Sequence, residues 1–194
     1  MRTTRLEAFS DGVVAILITI MVLELHLPEG ADWAALRPVW PTFCAYVLSF
    51  VYLGIYWNNH HHLFHVVEHV TGGILWANLH LLFWLSLVPF ATNWMGDHPY
   101  ESLPTLVYGV VLLCAAISFT ILVHVIIHAQ GANSKLKAAV GRDFKGNISM
   151  AIYVTAILST FVEHRIAWAL YVLVALIWLV PDRRIERVSS IRSA

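Results

Sequence analysis

Charge and cysteine are what this 194-residue chain has least of. Asp, Glu, Lys and Arg make up only 12% of it and the formal net charge is zero. No basic excess therefore points to nucleic acid, and there is no long charged tail. The only two cysteines, Cys44 and Cys114, both lie inside apolar runs, which excludes a disulfide framework and a thiolate metal cluster. Catalytic patterns are missing too. The chain contains no His-Glu-x-x-His, no Gly-x-Ser-x-Gly elbow, no phosphate-binding loop and no dinucleotide fingerprint, so an enzyme is not expected. A Thr-Val-Gly-Tyr-Gly carbonyl filter is absent as well.

What fills the chain instead is apolar. Hydrophobic residues account for 59% of the sequence and mean hydropathy is +0.70, a balance that implies an all-α integral membrane protein. A span needs about 20 mostly apolar residues, and six candidates follow at 6–25, 41–62, 74–94, 103–128, 147–162 and 166–181, in one domain over 1–194. The last two are short and are expected to form a thin hairpin through Glu163-His164-Arg165. Between the first two, Pro28, Pro38 and Pro41 bracket residues 32–36. A short interfacial helix is predicted there, with Trp33 and Trp40 at headgroup level. The first apolar run is too long for a signal peptide, carries Asp11 and lacks a small-residue cleavage site, so it reads as a retained helix.

Positive residues set the orientation. With six spans and a cytoplasmic amino terminus, the inside receives Arg2, Arg5, Lys135, Lys137, Arg142, Lys145, Arg183, Arg184, Arg187 and Arg192. Only Arg37 and Arg165 are left outside, the bias expected of cytoplasmic loops. Both termini are thus expected in the cytoplasm, with the chain in a lipid bilayer.

Three constellations carry chemical interest. On the first span, Ile16, Ile20 and Leu23 fall within about 60° of one another on a regular helix, with Thr19 on the flank. Such a stripe faces lipid or core in an ordinary membrane helix. Repeated around an axis, it would instead form hydrophobic rings that gate ions by dewetting, with Thr19 as the only polar ring. The second is the run His60, His61, His62, His65, Glu68 and His69. His61, His65 and His69 recur every fourth residue, so a metal-binding protein, transporter or enzyme using them with Glu68 is one reading, and a solvated helix end is the other. The third is the set of polar residues within spans, including Asn78, His80, Ser86, Asn93, Ser118, Thr120, His124, Thr155, Ser159 and Thr160. Most are expected to bond across helices or to the backbone. A bis-histidine haem carrier through His80 and His124 is the least favoured reading of this set. Pro89 is expected to kink the third span.

Arg5 followed by Phe9-Ser10-Asp11-Gly12, then Ala15-Ile16, Thr19 and Leu23-Glu24, resembles the first-helix signature of the prokaryotic transmembrane protein 175 family of potassium channels. Trp57 with His61 and Leu63-Phe64, Trp76 with Asn78, and Leu87 with Pro89-Phe90 extend the resemblance through the amino-terminal half. The resemblance implies a homotetramer of six-span subunits with the first helices lining the pore and potassium and other monovalent cations as permeant species. It implies no cofactor, and the cell membrane of a prokaryote as location. It also makes Ile16 the narrowest ring, Ile20 and Leu23 the rings above it, and Thr19 a selectivity position. Arg5, Phe9, Ser10, Asp11, Trp57, His61 and Asn78 are implied as the brace. On a regular helix Asp11 lies about 140° from Ile16. Its carboxylate is therefore expected to point into its own subunit, toward Trp57, His61 and Asn78.

Overall fold

The computed structural model describes residues 3–67, 69–131, 136 and 143–179. Seven α-helices occur among them: α1 Thr3–Leu23, α2 Trp40–His65, α3 Gly72–Ser86, α4 Val88–Asp97, α5 Ser102–Gln130, α6 Phe144–Ser159 and α7 His164–Leu179. Because α3 and α4 follow each other with only Leu87 between them, they make one broken rod, and the described helices form six rods. Three of these are long and apolar enough to cross a membrane: Thr3–Leu23, Gly72–Asp97 and Ser102–Gln130.

The break falls two residues before Pro89. Proline has no N–H to give the carbonyl of Leu85 and its ring crowds that carbonyl, so the helix cannot run through unperturbed. The chain turns at Leu87, whose N–H reaches Leu85 and Trp84 carbonyls. The kink expected from the sequence falls at Leu87, a one-residue interruption within a single rod.

Other boundaries shift as well. Residues 33–39 form successive turns and no helix. Pro38 removes one donor and disfavours helical geometry at Arg37, leaving an Asp32 carboxylate contact to Ala35 N–H at 2.9 Å and short turn bonds such as Val39 N–H to the Leu36 carbonyl. Trp40 opens α2. The last hairpin turns through 160–163, so His164 and Arg165 belong to the first turn of α7 and not to the loop. At 16 residues each, α6 and α7 are about 24 Å long, short of the ~30 Å hydrocarbon thickness. Residues 180–181 of the last expected span lie outside the described residues, as do Glu68, Arg2, Lys135, Lys137, Arg142, Arg183, Arg184, Arg187 and Arg192.

Side-chain contacts identify the two ends of the bundle. At one end Thr3 donates to the Val67 carbonyl and Gln130 to the Val66 carbonyl, bringing together the start of α1, the α2–α3 link and the end of α5. At the other, Asn93 reaches Glu24 and Thr42 reaches Asp97. Close packing at that end requires Gly96, because a Cβ there would stand 2.6 Å from the Thr42 Cα. Between α2, α5, α6 and α7 the core is built on Tyr52, Tyr108, Tyr153 and Tyr171, all buried.

Candidate functional site

The buried face of α1 carries Leu6, Ser10, Val14, Leu17 and Met21, spaced four, four, three and four residues apart, as one side of a 3.6-residue helix requires. It packs on α2, α3 and α4. Three apolar side chains and a methionine supply the contact area, and Ser10 supplies the polar contact that fixes register. Ser10 Oγ donates to the Leu6 carbonyl at 3.0 Å and accepts from Asn78 Nδ2 at 3.0 Å. The amide oxygen of Asn78 in turn lies 2.8 Å from His60 Nε2. An amide oxygen only accepts, so His60 donates from Nε2. Ser10, His60 and Asn78 are all buried, which makes this a closed hydrogen-bonded chain linking α1, α3 and α2. Buried polar groups of this kind are costly unless paired, and here each is paired.

One residue further along, Asp11 leaves the buried face toward α2, where Trp57 Nε1 donates to its Oδ1 at 2.9 Å. The Trp57 ring is stacked on His61, with centroids 6.2 Å apart and planes at 20°. Asp11 therefore points into its own chain, and α2 meets it through an indole. Arg5 and Phe9 are not part of these contacts. Both sit on the exposed side of α1, Arg5 makes no ion pair among the described residues, and Phe9 is 52% exposed.

That exposed side also carries Ile16 at 57%, Ile20 at 39% and Leu23 at 80% exposure. Thr19 lies among them and donates its hydroxyl proton back to the Ile16 carbonyl at 2.9 Å, which leaves its oxygen lone pairs directed outward. The face is continuous with a groove of about 520 Å³ between α1 and α4, lined by Leu17, Ile20, Glu24, Phe90, Asn93 and Asp97 among others. Within its most apolar stretch only 28% of α1 is buried, against 50% for the α3–α4 rod. The first helix is thus locked on one side and bare on the other.

His60 is the partner that reading the sequence missed. A periodic signal for it exists: Leu53, His60 and Phe64 are spaced seven and four apart on the buried stripe of α2, while His61 and His65 lie off that stripe and are exposed. In the histidine run, α2 continues through His65 and ends before His69. Among the described residues no group of three or more His, Cys, Asp or Glu is placed to hold a metal. The two in-span histidines each meet a neighbour on their own helix: His80 Nε2 accepts from Trp84 Nε1 at 3.1 Å, and His124 Nδ1 lies 2.8 Å from the Thr120 carbonyl. Other in-span hydroxyls bond back to the preceding turn, as with Ser118 to Cys114, Thr120 to Ala116 and Thr155 to Ala151.

The chain is similar to known proteins. The family described as endosomal/lysosomal potassium channel TMEM175 matches residues 5–89, the segment that holds most of α1 together with Trp57, His60 and Asn78. A potassium channel of Chryseobacterium sp. (strain P1-3) is 59% identical over 183 residues, covering 94% of this chain and 95% of the relative. A potassium channel of Streptomyces collinus is 37% identical over 123 residues, covering 59% of this chain and 60% of that one. In three dimensions the fold is similar to the crystal structure of a lysosomal potassium-selective channel TMEM175 homolog from Chamaesiphon minutus. The TM-score is 0.77 at 26% identity, over 93% of this chain and 97% of that one. The chain is an all-α membrane protein that belongs to the TMEM175 family of potassium channels.

Proposed function

We propose that the chain is a potassium-permeable channel in which four copies surround an axis and the open face of α1 lines the conduction path. The observation that carries this reading is the two-sidedness of α1. Hydrogen bonds accepted by Ser10 from Asn78 and by Asp11 from Trp57 fix the rotation of the helix, and the apolar side chains left over, Ile16, Ile20 and Leu23, share the opposite side. Four copies of that side would stack three apolar rings. A ring too narrow and too apolar to hold water sets a dewetting barrier to ions, and no carbonyl filter is needed. Thr19, whose proton is already used within the helix, would present a ring of hydroxyl oxygens to passing cations, the position expected to bias potassium against sodium.

In this reading the 1–194 chain is one six-span domain with both termini in the cytoplasm of a prokaryotic cell, and the rods too short or too polar to qualify alone cross within the bundle. Arg5 and Phe9, exposed on the same side of α1 as the apolar stripe, would serve contacts between copies. Ser10, Asp11, Trp57, His61 and Asn78 would serve contacts within one copy. No metal or other cofactor takes part in conduction.

Potassium-loaded vesicles test this. The reconstituted protein should pass an electrogenic potassium flux down a gradient, and Ile16→Asn should raise it several-fold by wetting the narrowest ring. Thr19→Val should narrow the difference between potassium and sodium flux. If wild type and Ile16→Asn were equally silent, the channel reading would fall.

A further inference from the structure

A cavity of about 50 Å³ lies among α2, α5, α6 and α7. We propose that it binds a small neutral amphiphile, an aliphatic chain of about two to four carbons that ends in one hydroxyl. Its walls are mostly rings and alkyl groups, Ile55 and Tyr56 from α2, Ala116 and Phe119 from α5, Tyr153 from α6 and Trp178 from α7. Neighbours hold these walls in place. Tyr56 and Phe119 meet edge-on with ring centres 6.1 Å apart, and the Trp178 indole donates to Ser149 Oγ at 2.9 Å. Walls tied in this way preform the space, so an occupant meets little reorganisation cost.

The polar groups on the lining set the ligand's chemistry. Asn59 Nδ2 donates to the Ile55 carbonyl and Thr120 Oγ1 to the Ala116 carbonyl, which leaves oxygen lone pairs of both side chains to accept. The Tyr56 hydroxyl has no hydrogen-bond partner among the described residues, so it has a proton to give. A ligand hydroxyl both donates and accepts, and it meets either kind of group. A charged ligand would have to leave water for walls that are mostly apolar. The one carboxylate on the rim, Asp143, already accepts from Gly146 N–H at 2.9 Å as the cap of α6. Size supplies the rest. A cavity of about 150 Å³ holds one benzene, or about 25 Å³ per carbon. At about 50 Å³ this one encloses about two heavy atoms, and its open side admits about two or three more.

Tyr56 ties this site to the first helix. It also lines a void of about 10 Å³ together with Ser10, Asp11, Trp57 and His60. An occupant in contact with the Tyr56 ring therefore stands one side chain away from the contacts that hold α1.

The test uses the full chain with fluorotryptophan at its eight tryptophans, followed by fluorine NMR in detergent. Trp178→Phe assigns the line that reports on the cavity. Ethanol, 1-propanol and 1-butanol should shift that line saturably, whereas the line of Trp33, which is 87% exposed, should only drift in proportion to concentration. Affinity should rise about fourfold per methylene and stop rising before 1-hexanol, once the chain outgrows the space. Ethylammonium, close to 1-propanol in size but charged, should bind more weakly than either ethanol or 1-propanol. Ala116→Leu, which fills the space from the α5 wall, should abolish the shift at Trp178. Tyr56→Phe, a gentler change, should weaken 1-propanol about fivefold. No saturable shift at Trp178, affinity that climbs through 1-hexanol as partition into detergent does, or tighter binding of ethylammonium than of ethanol would overturn the proposal. So would full affinity in both Ala116→Leu and Tyr56→Phe. Every readout is of binding, so either outcome is independent of whether the protein conducts.

Discussion

Around α1 the buried polar contacts are made by short amide, hydroxyl and imidazole groups that meet one another, whereas between α2, α5, α6 and α7 they are made by tyrosines that mostly reach for backbone. In the first region Ser10, Asn78 and His60 form a chain across three helices. In the second, Tyr52 donates to the Tyr171 carbonyl at 2.6 Å, Tyr171 donates to the Thr105 carbonyl at 3.0 Å, and Tyr108 pairs with Ser49 at 2.9 Å. The rings of Tyr108 and Tyr171 meet edge-on at 5.4 Å.

The difference is one of what each contact specifies. An amide meeting a serine and a histidine is satisfied in one geometry, so it fixes the rotation and register of α1. A tyrosine reaching a carbonyl fills volume first and is tolerant of small shifts. The region that leaves one face of a helix exposed uses the stricter chemistry.

The largest effect that separates the two regions is expected from Asn78→Ala. It takes the buried side-chain partner from His60 and the contact across helices from Ser10, which keeps only its bond to the Leu6 carbonyl, and should cost about 2–4 kcal/mol in unfolding measured in detergent. Potassium flux per folded molecule should change as well, because α1 is free to rotate. Gly109→Ala probes the tyrosine region. A Cβ at Gly109 would overlap the Tyr171 hydroxyl and crowd Ile157, so a loss of about 1–3 kcal/mol is expected, with flux per folded molecule unchanged. Trp57→Phe is the gentlest. It removes one hydrogen bond to Asp11 and keeps an aromatic ring over His61, so stability should fall by only about 0.5–1.5 kcal/mol. A flux change out of proportion to that loss would mark the indole as a positioning residue for α1. If Gly109→Ala altered flux as strongly as Asn78→Ala, the division between the regions would not hold.

Much of this was legible in the residues. The all-α membrane class and the rods followed from hydropathy and length, and the placement of Asp11 away from Ile16 followed from helix rotation alone. The kink at Leu87 was visible from Pro89, because a proline announces the lost hydrogen bond, but the residue at which the helix is interrupted was not. The loop around Trp33 read as a helix because its composition is helical, while the closely spaced prolines decide its backbone. His60 escaped because five histidines in ten residues mask which one lies on the buried stripe. Its spacing from Leu53 and Phe64 marks it weakly, and packing against Asn78, a residue 18 positions away, singles it out.

Whether the exposed face of α1 meets the conduction path, as proposed, is open to direct test. On a background with Cys44 and Cys114 replaced by serine, single cysteines at Ile16 and at Leu17 should be treated with a thiol-reactive ammonium reagent in potassium-loaded vesicles. Modification of Ile16→Cys should block or strongly alter the flux, while Leu17→Cys, on the buried side, should be indifferent. Block at Leu17→Cys with no effect at Ile16→Cys would contradict the account.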